Sequence, residues 1–430
     1  MRFDPVTALK GELTPPPDKS ISHRAAIIGA MSDGRVHVRG YLRSADTAAT
    51  LEAVTELGAR LASAQPHGAS TDLELVGAGL RGADPGGESI DVRNAGTLLR
   101  ILPGWLAGQP RGTWTLDGDA SIRRRPVERV AHPLRRMGAS VDFREGGLTP
   151  MVVEGADLHG IEYELPVASA QVKSCVLLAG LLADSETTVV ERLPSRDHTE
   201  LMLRAAGVDV RIDGERVSVS GMRRIELDEV QVPGDFSSAA FFIAAATLVP
   251  GSEIVLRGVG VNPTRTGLLS VLERMGADVE LTRDTVAGGE PVGDIVVRSA
   301  ALRGTEVPAS EVPLTIDELP IVALLGAFAE GRTVVHGAEE LRRKESDRIE
   351  TVVGGLRGLG ARIEAAPDGF MVEGTGGLPG GHLDAAGDHR LAMLGAVAGL
   401  ASREGVEVSG FQVADVSYPG FAADLEAVAA

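Results

Sequence analysis

The chain has 430 residues, 43% of them hydrophobic but only 3% aromatic, and a net charge of -18. That length favours two or more lobes around aliphatic cores, while the acidic balance and the scarcity of aromatic rings exclude a nucleic-acid surface. One cysteine, nine histidines without paired spacing and no apolar run of signal-peptide or membrane-spanning length exclude a disulfide framework, a metal signature and a membrane protein, so a cytoplasmic protein without metal or redox chemistry is expected.

After an opening segment, MRFDPVTALKGELTPPP, six apolar helical stretches each run into a glycine-containing turn and a β-branched strand. They begin near residues 21, 96, 169, 237, 317 and 389 with ISHRAAIIGAM, GTLLRILPGWLA, SAQVKSCVLLAGLLA, SSAAFFIAAATL, DELPIVALLGAFA and HRLAMLGAVAGLA. A second helix type alternates with them, as in LEAVTELGARLA, VERVAHPLRRMGASVDF, ELMLRAAGVDVRI, LLSVLERMGADVEL and IETVVGGLRGLGARIEA, and PGFAADLEAVAA closes the chain. Apolar residues there recur at three- and four-residue steps, such as Val271, Leu272 and Met275, while VDVRI and ADVEL alternate as half-buried strands do. Such a repeat cannot cover its own sheet, so three copies packed with helices inward make one lobe and six make two. Pro-marked crossings near 14–20 and 230–238 are expected to divide the lobes. One lobe then comprises residues 1–18 and 235–430, with an N-terminal strand and units four to six, and the other residues 19–234, with units one to three.

Polar and charged residues gather where the first helix type begins, and there free N–H groups and the helix dipole favour anions. DKSISHR places Lys19, Ser20 and Arg24 at the first start, NAGT places Asn94, Gly96 and Thr97 at the second, SAQVK places Ser169, Ala170, Gln171 and Lys173 at the third, and GDHR places Asp388, His389 and Arg390 at the sixth. Helix capping is the alternative for Ser20, Asn94 and Ser169. At the fifth start Asp317, in the repeat slot of Lys19 and Ser169, is either a cap or a general base facing a cationic pocket. SIRRRPV and RRKESDR are dense enough in arginine to clamp carboxylate or phosphate, and Glu345, beside Lys344 and before Arg348, suits an acid placed among cations. Only four of the 42 basic residues are lysines, Lys10, Lys19, Lys173 and Lys344; lysine and arginine are not interchangeable in a tight site, so each survivor is a candidate.

Two motifs mislead. GxGxxG at Gly77, Gly79 and Gly82 runs into ADPGGES, which cannot begin the helix that would cradle a pyrophosphate, and Cys175 lies inside an apolar helix as a buried thiol does. The remaining residues point to a small, multiply anionic, phosphorylated substrate.

In this order, DKSISHR, NAGT, RRRPV, SAQVKS, SRDHTE, NPTRT, KESDR and GDHRLAM resemble the 5-enolpyruvylshikimate-3-phosphate synthase family over nearly the whole chain, and SAQVK, SRDHTE and NPTRT are similar to its second bacterial branch. The resemblance implies an α/β (α+β) fold, a two-lobed inverse α/β barrel of six repeated units with helices packed inside and sheets outside. It implies transfer of the enolpyruvyl group of phosphoenolpyruvate to the 5-hydroxyl of shikimate 3-phosphate, with release of phosphate. The expected enzyme is a monomer of the shikimate pathway, serving aromatic amino acid biosynthesis without metal or organic cofactor. By the same resemblance Lys19 touches both substrates. Ser20, Arg24, Ser169, Ala170, Gln171, Ser195, Arg196, Asp317 and Lys344 hold shikimate 3-phosphate. Asn94, Gly96, Arg125, Gln171, Arg348 and Arg390 hold phosphoenolpyruvate. Asp317 takes the hydroxyl proton, Glu345 protonates the methylene carbon, and Lys19 completes the catalytic set. Within SRDHTE, either Arg196 or His198 is the one that reaches the shikimate.

Three positions bear on this resemblance. Val416 stands where one branch of the family has a lysine, and Pro17 replaces the glycine of GDKS. The sister family, UDP-N-acetylglucosamine enolpyruvyl transferase, carries a cysteine just before an Arg-Pro-Val, where this chain has Ala120 in DASIRRRPV. A non-catalytic anion-binding protein is the other alternative, which the pairing of Asp317 with Glu345 disfavours, since binding alone would keep carboxylates out of a cationic pocket.

Overall fold

In a computed structural model, which describes residues 1–86 and 89–429, the six apolar stretches form the helices Lys19–Met31, Gly96–Ala107, Ala170–Gly180, Phe236–Leu248, Leu319–Phe328 and His389–Ala401. Beyond their first turns these sequences have no polar face, and they are correspondingly buried all round: Phe236–Leu248 buries every residue from Phe236 to Thr247. The alternating helices instead carry one apolar stripe. Gly267–Met275 buries Leu268, Val271, Leu272 and Met275, and Gly276 ends it at φ 83, a left-handed conformation that side chains resist.

Each repeat builds a small mixed sheet. Arg35–Leu42 pairs parallel with Glu229–Gln231 and antiparallel with Ser70–Val76, whose other edge takes Arg60–His67. The same order, with one parallel edge strand and an antiparallel hairpin, recurs around Thr113–Asp117, Thr187–Val190, Glu253–Gly260 and Arg332–Val335. The last sheet lacks the hairpin; Val406–Ser409 takes Gly381–Asp384 in parallel and the N-terminal Arg2–Phe3 antiparallel. Lys10–Leu13 forms the parallel edge for Glu253–Leu256, so edge strands for the first and fourth repeats come from distant parts of the chain.

The chain divides into two units, Met1–Pro16 with Pro233–Val286 and Pro291–Ala430, and Pro17–Val232 with Ala287–Glu290. Each has its own aliphatic core, one running from Ile21 to Val232 and the other from Phe3 to Val428. No helix among the described residues is long and apolar enough to cross a membrane.

The structure narrows one expected strand and accounts for both misleading motifs. In VDVRI only Arg211 and Ile212 belong to a strand, Arg211–Asp213, because the Val210 N–H turns back onto the Val208 carbonyl at 3.0 Å instead of joining a ladder. No helix follows Gly82 before residue 86; Gly77 is required for a different reason, since a Cβ there would stand 2.0 Å from the Ser32 carbonyl oxygen. Cys175 is fully buried, which pushes its thiol well above the ordinary range.

Glycine also permits a close helix approach in the Pro17–Val232 unit. A Cβ on Gly104 would lie 2.2 Å from the carbonyl oxygen of Cys175 on the neighbouring Ala170–Gly180 helix. Gly104→Ala should therefore force the two helices apart and cost about 1–3 kcal/mol in urea unfolding. Gly354→Ala, where a Cβ would meet nothing within 4 Å on an exposed helix position, should instead stabilise by ~0.5–1 kcal/mol; equal effects of the two changes would contradict this packing account.

Candidate active site

Within the Pro17–Val232 unit, the start of Lys19–Met31 is capped by Asp18, whose Oδ1 accepts from the Ile21 N–H at 2.8 Å. Ser20 is thus not the cap, and the first turn is left to present Lys19 and Ser20. Lys19 Nζ is 3.1 Å from Asp46 Oδ2, a buried carboxylate at the start of the Ala45–Glu56 helix. Arg24 is 3% exposed and donates to three neutral acceptors, Thr199 Oγ1 at 2.7 Å, Ser174 Oγ at 3.0 Å and the Ser20 carbonyl at 3.0 Å. Burial, and then the like charge of Arg196, push its guanidinium down to about 10. A buried cation with neutral hydrogen-bond acceptors and a cationic neighbour favours an incoming anion.

The second helix start is capped by no side chain. Asn94, which could have been a cap, instead donates to Asp119 Oδ2 at 2.6 Å and accepts from Arg125 Nη2 at 3.3 Å. Of the three arginines in RRRPV only Arg125 is buried. It lies so near the Gly96 backbone that a Cβ there would come 2.7 Å from Arg125 Nη1 and 3.2 Å from Arg100 Nη1. Arg100 in turn donates to Gln171 Oε1 at 3.1 Å, and Gln171 Nε2 to Thr97 Oγ1 at 3.1 Å. Gln171 therefore ties the third helix start to the second. Ser169 does cap its helix, accepting from the Val172 N–H at 3.4 Å, with Ala170 as the first helical residue. In SRDHTE, Ser195 is buried and Arg196 half-buried, whereas His198 is committed to Glu290, with Nδ1 2.8 Å from Oε1 and both residues buried.

In the other unit the charged residues converge on Asp317. It stands two positions before the Leu319–Phe328 helix, whose cap position is taken by Glu318, so it is not a cap, and its slot is shifted from those of Lys19 and Ser169. Lys344 Nζ lies 3.4 Å and Arg348 Nη1 3.5 Å from Asp317 Oδ1, while Arg265 Nη1 and Arg390 Nη2 each lie 3.8 Å from Oδ2. Arg348 is 2% exposed and binds Asp388 through Nε at 2.8 Å and Glu345 through Nη2. Burial works against that charge, yet Asp388, Glu345 and Asp317 outweigh it and hold the guanidinium above its ordinary range. Burial likewise opposes the Asp388 carboxylate, and Arg348 overrides it to hold Asp388 below the usual carboxylate range. Arg390 donates to the Asp317 carbonyl at 3.0 Å and to Ser237 Oγ, which donates to the buried Glu318.

Several of these partners carry no signal of their own in the sequence. Asp46 and Glu318 are ordinary acidic residues at helix starts, Arg100 lies one turn beyond Gly96 on an apolar helix, and Arg265 belongs to NPTRT, a motif with no role assigned from the sequence. Only the i, i+4 relation of Gly96 and Arg100 could have been read in advance. Among the described residues no group of three His, Cys, Asp or Glu side chains could hold a metal ion.

Two solved structures share this build of helices and small sheets over nearly the whole chain. The enolpyruvyl transferase NikO from Streptomyces tendae superposes with a TM-score of 0.77 over 99% of this chain and 96% of that one, at 20% identity, a likeness of fold alone. EPSP synthase from Acinetobacter baumannii superposes at 0.87 over 100% and 97% of the two chains, with 40% identity. In sequence, the 3-phosphoshikimate 1-carboxyvinyltransferase of Alkalilimnicola ehrlichii is 47% identical over 418 residues, 97% of this chain and 93% of that protein. The family model of EPSP synthase (3-phosphoshikimate 1-carboxyvinyltransferase) matches residues 3–425, and the chain belongs to that family.

The crowding of charge at the first helix start has a measurable cost in acid. His23, 1% exposed and 2.7 Å through Nδ1 from Thr50 Oγ1, is pushed down to about 3, chiefly by burial and further by Lys19 and Arg24, against the pull of Asp46 and Asp18. The unfolded chain therefore takes up this proton first, so the contribution is intact above about pH 6.5 and is lost progressively towards the folded value, at ~1.4 kcal/mol per pH unit. Between pH 7 and pH 5 urea unfolding should show about 2 kcal/mol less stability from this group. The difference should be absent in His23→Gln; an unchanged pH dependence in that variant would remove the explanation.

Proposed function

We propose that the chain transfers the enolpyruvyl group of phosphoenolpyruvate to the 5-hydroxyl of shikimate 3-phosphate, and that the residues above divide the work as the family resemblance suggests. The observation that carries this reading is the placing of two carboxylates, Asp317 and Glu345, on one buried guanidinium, that of Arg348. Such an arrangement suits an addition that needs a base and an acid at fixed positions beside a negatively charged group.

In this scheme Asp317 accepts the 5-hydroxyl proton as the oxygen attacks C2 of phosphoenolpyruvate, and Glu345 delivers a proton to the C3 methylene. The resulting adduct then loses phosphate from C2 and a proton from C3, which restores the vinyl group in the product. Arg125, Arg348 and Arg390, with Asn94, the open Gly96 backbone and a shared Gln171, hold phosphoenolpyruvate, where planar forks match carboxylate and phosphate. Ser20, Arg24, Ser169, Ala170, Gln171, Ser195, Arg196 and Lys344 hold shikimate 3-phosphate, and Lys19 meets both substrates. The burial of Arg24 among neutral acceptors supports its part, because binding an anion there compensates an already desolvated cation. Between Arg196 and His198, the commitment of His198 to Glu290 favours Arg196 as the ligand. The enzyme acts as a monomer.

Phosphate release from phosphoenolpyruvate, followed with and without shikimate 3-phosphate, tests the scheme. Release should require both substrates, and Asp317→Asn and Glu345→Gln should each lower kcat by about 10²–10⁴-fold while calorimetry still detects substrate binding. Release without shikimate 3-phosphate, or either variant within tenfold of the native rate, would overturn the assignments. Gly96→Ala should raise the KM for phosphoenolpyruvate and leave that for shikimate 3-phosphate unchanged, because its Cβ displaces the Arg125 guanidinium; equal rises in both would contradict the placing of Arg125.

A further inference from the structure

Lys173 is one of only four lysines in the chain, and the scheme above gives it no task. It lies in the first turn of Ala170–Gly180 with its side chain 1% exposed, Nζ 2.8 Å from Glu191 Oε1 and 2.7 Å from Glu200 Oε1. It also donates to the Ser195 carbonyl at 3.3 Å. The second oxygen of Glu191 accepts both from the Ser195 N–H, at 3.2 Å, and from its hydroxyl, at 2.7 Å. Burial pushes the Glu200 carboxyl up, and Lys173 opposes that shift.

Three parts of the Pro17–Val232 unit meet here: the helix that begins with Ser169 and Gln171, the loop that carries Ser195 and Arg196, and the start of His198–Ala205, whose Thr199 accepts from Arg24. One ammonium pairs with two carboxylates, Glu200 buried and Glu191 partly exposed, so the pairing replaces hydration that Glu200 in particular has lost. The geometry points to Lys173, Glu191 and Glu200 as a positioning network that holds the Ser195 loop against the third helix start, so that the Ser195 hydroxyl is in place before shikimate 3-phosphate arrives. In the structure that hydroxyl donates to Glu191. When a phosphate oxygen arrives, the hydroxyl hydrogen rotates towards it, and Glu191 keeps Lys173 and the Ser195 N–H, so the exchange leaves no buried group unpaired. Side chains fixed in this way lose less freedom on binding than a mobile loop would. The inference rests on the reading of Ser195 as a ligand of shikimate 3-phosphate.

Glu191→Gln, Ser195→Ala and the double variant separate the two ideas. Glu191→Gln keeps the shape and an oxygen for Lys173, and thermal unfolding should confirm that it folds. In native protein that releases phosphate with both substrates, Ser195→Ala should weaken shikimate 3-phosphate binding by calorimetry about tenfold. Glu191→Gln should weaken it about five- to tenfold with the KM for phosphoenolpyruvate unchanged, and the double variant should lose no more than Ser195→Ala alone. Additive losses, a silent Glu191→Gln, or equal rises in both KM values would overturn the positioning role while Ser195 stays a ligand. No effect of Ser195→Ala would overturn the Ser195 assignment, and the network's role with it.

Discussion

The guanidinium of Arg348, with almost no exposed surface, is surrounded by Asp388, Glu345 and Asp317. A charge removed from water to this extent survives only when opposite charges and hydrogen bonds replace its hydration. That requirement fixes much of its surroundings. Asp388 must cap the His389–Ala401 helix and face Arg348 at once, which it does by giving Oδ1 to the Arg390 N–H and Oδ2 to Arg348 Nε. Arg390 is thereby presented from the second helical position, and Asp317 and Glu345 are held at opposite nitrogens of one rigid plane.

The Pro17–Val232 unit meets the same requirement in a different way. Lys19 and Lys173 have carboxylates for partners, the buried Asp46 in one case and the buried Glu200 with the partly exposed Glu191 in the other. Arg24 has hydroxyls and a carbonyl instead, and Arg196 nearby adds a like charge. Lys173, with its side chain 1% exposed between two carboxylates, is suited to holding geometry, and Arg24, resting on neutral groups, is suited to taking up an anion. A net charge of -18 is compatible with both, because the acidic residues that dominate the sum lie mostly outside these local arrangements or serve inside them as counterions.

Glycine and small side chains make these arrangements reachable. Gly96 admits the Arg125 and Arg100 guanidinium groups to the backbone of a helix start, and Gly104 lets the same helix approach the carbonyl of Cys175. A core built from alanine, valine, leucine and glycine permits such approaches, where larger rings would hold the helices apart.

What was legible in the sequence had a local physical cause. Every apolar stretch of the first type forms a buried helix, because a helix without a polar face has no stable place at a surface. The stripe through Leu268, Val271, Leu272 and Met275 follows from helical period alone. Residue type marked Lys19, Arg24, Asp317 and Arg348 as unusual at their positions, and the ordered motifs placed the chain in its family. Tertiary structure alone decided their partners. Lys19 meets Asp46 from 27 positions away, Arg24 meets Thr199 from 175, and Arg348 meets Asp388 from 40. It also decided that Asp18 and Glu318, and not Ser20 and Asp317, occupy the cap positions. Periodicity and residue type report what one segment needs to bury or expose; which distant segment supplies the counter-charge depends on how whole helices pack, and no local pattern carries that information.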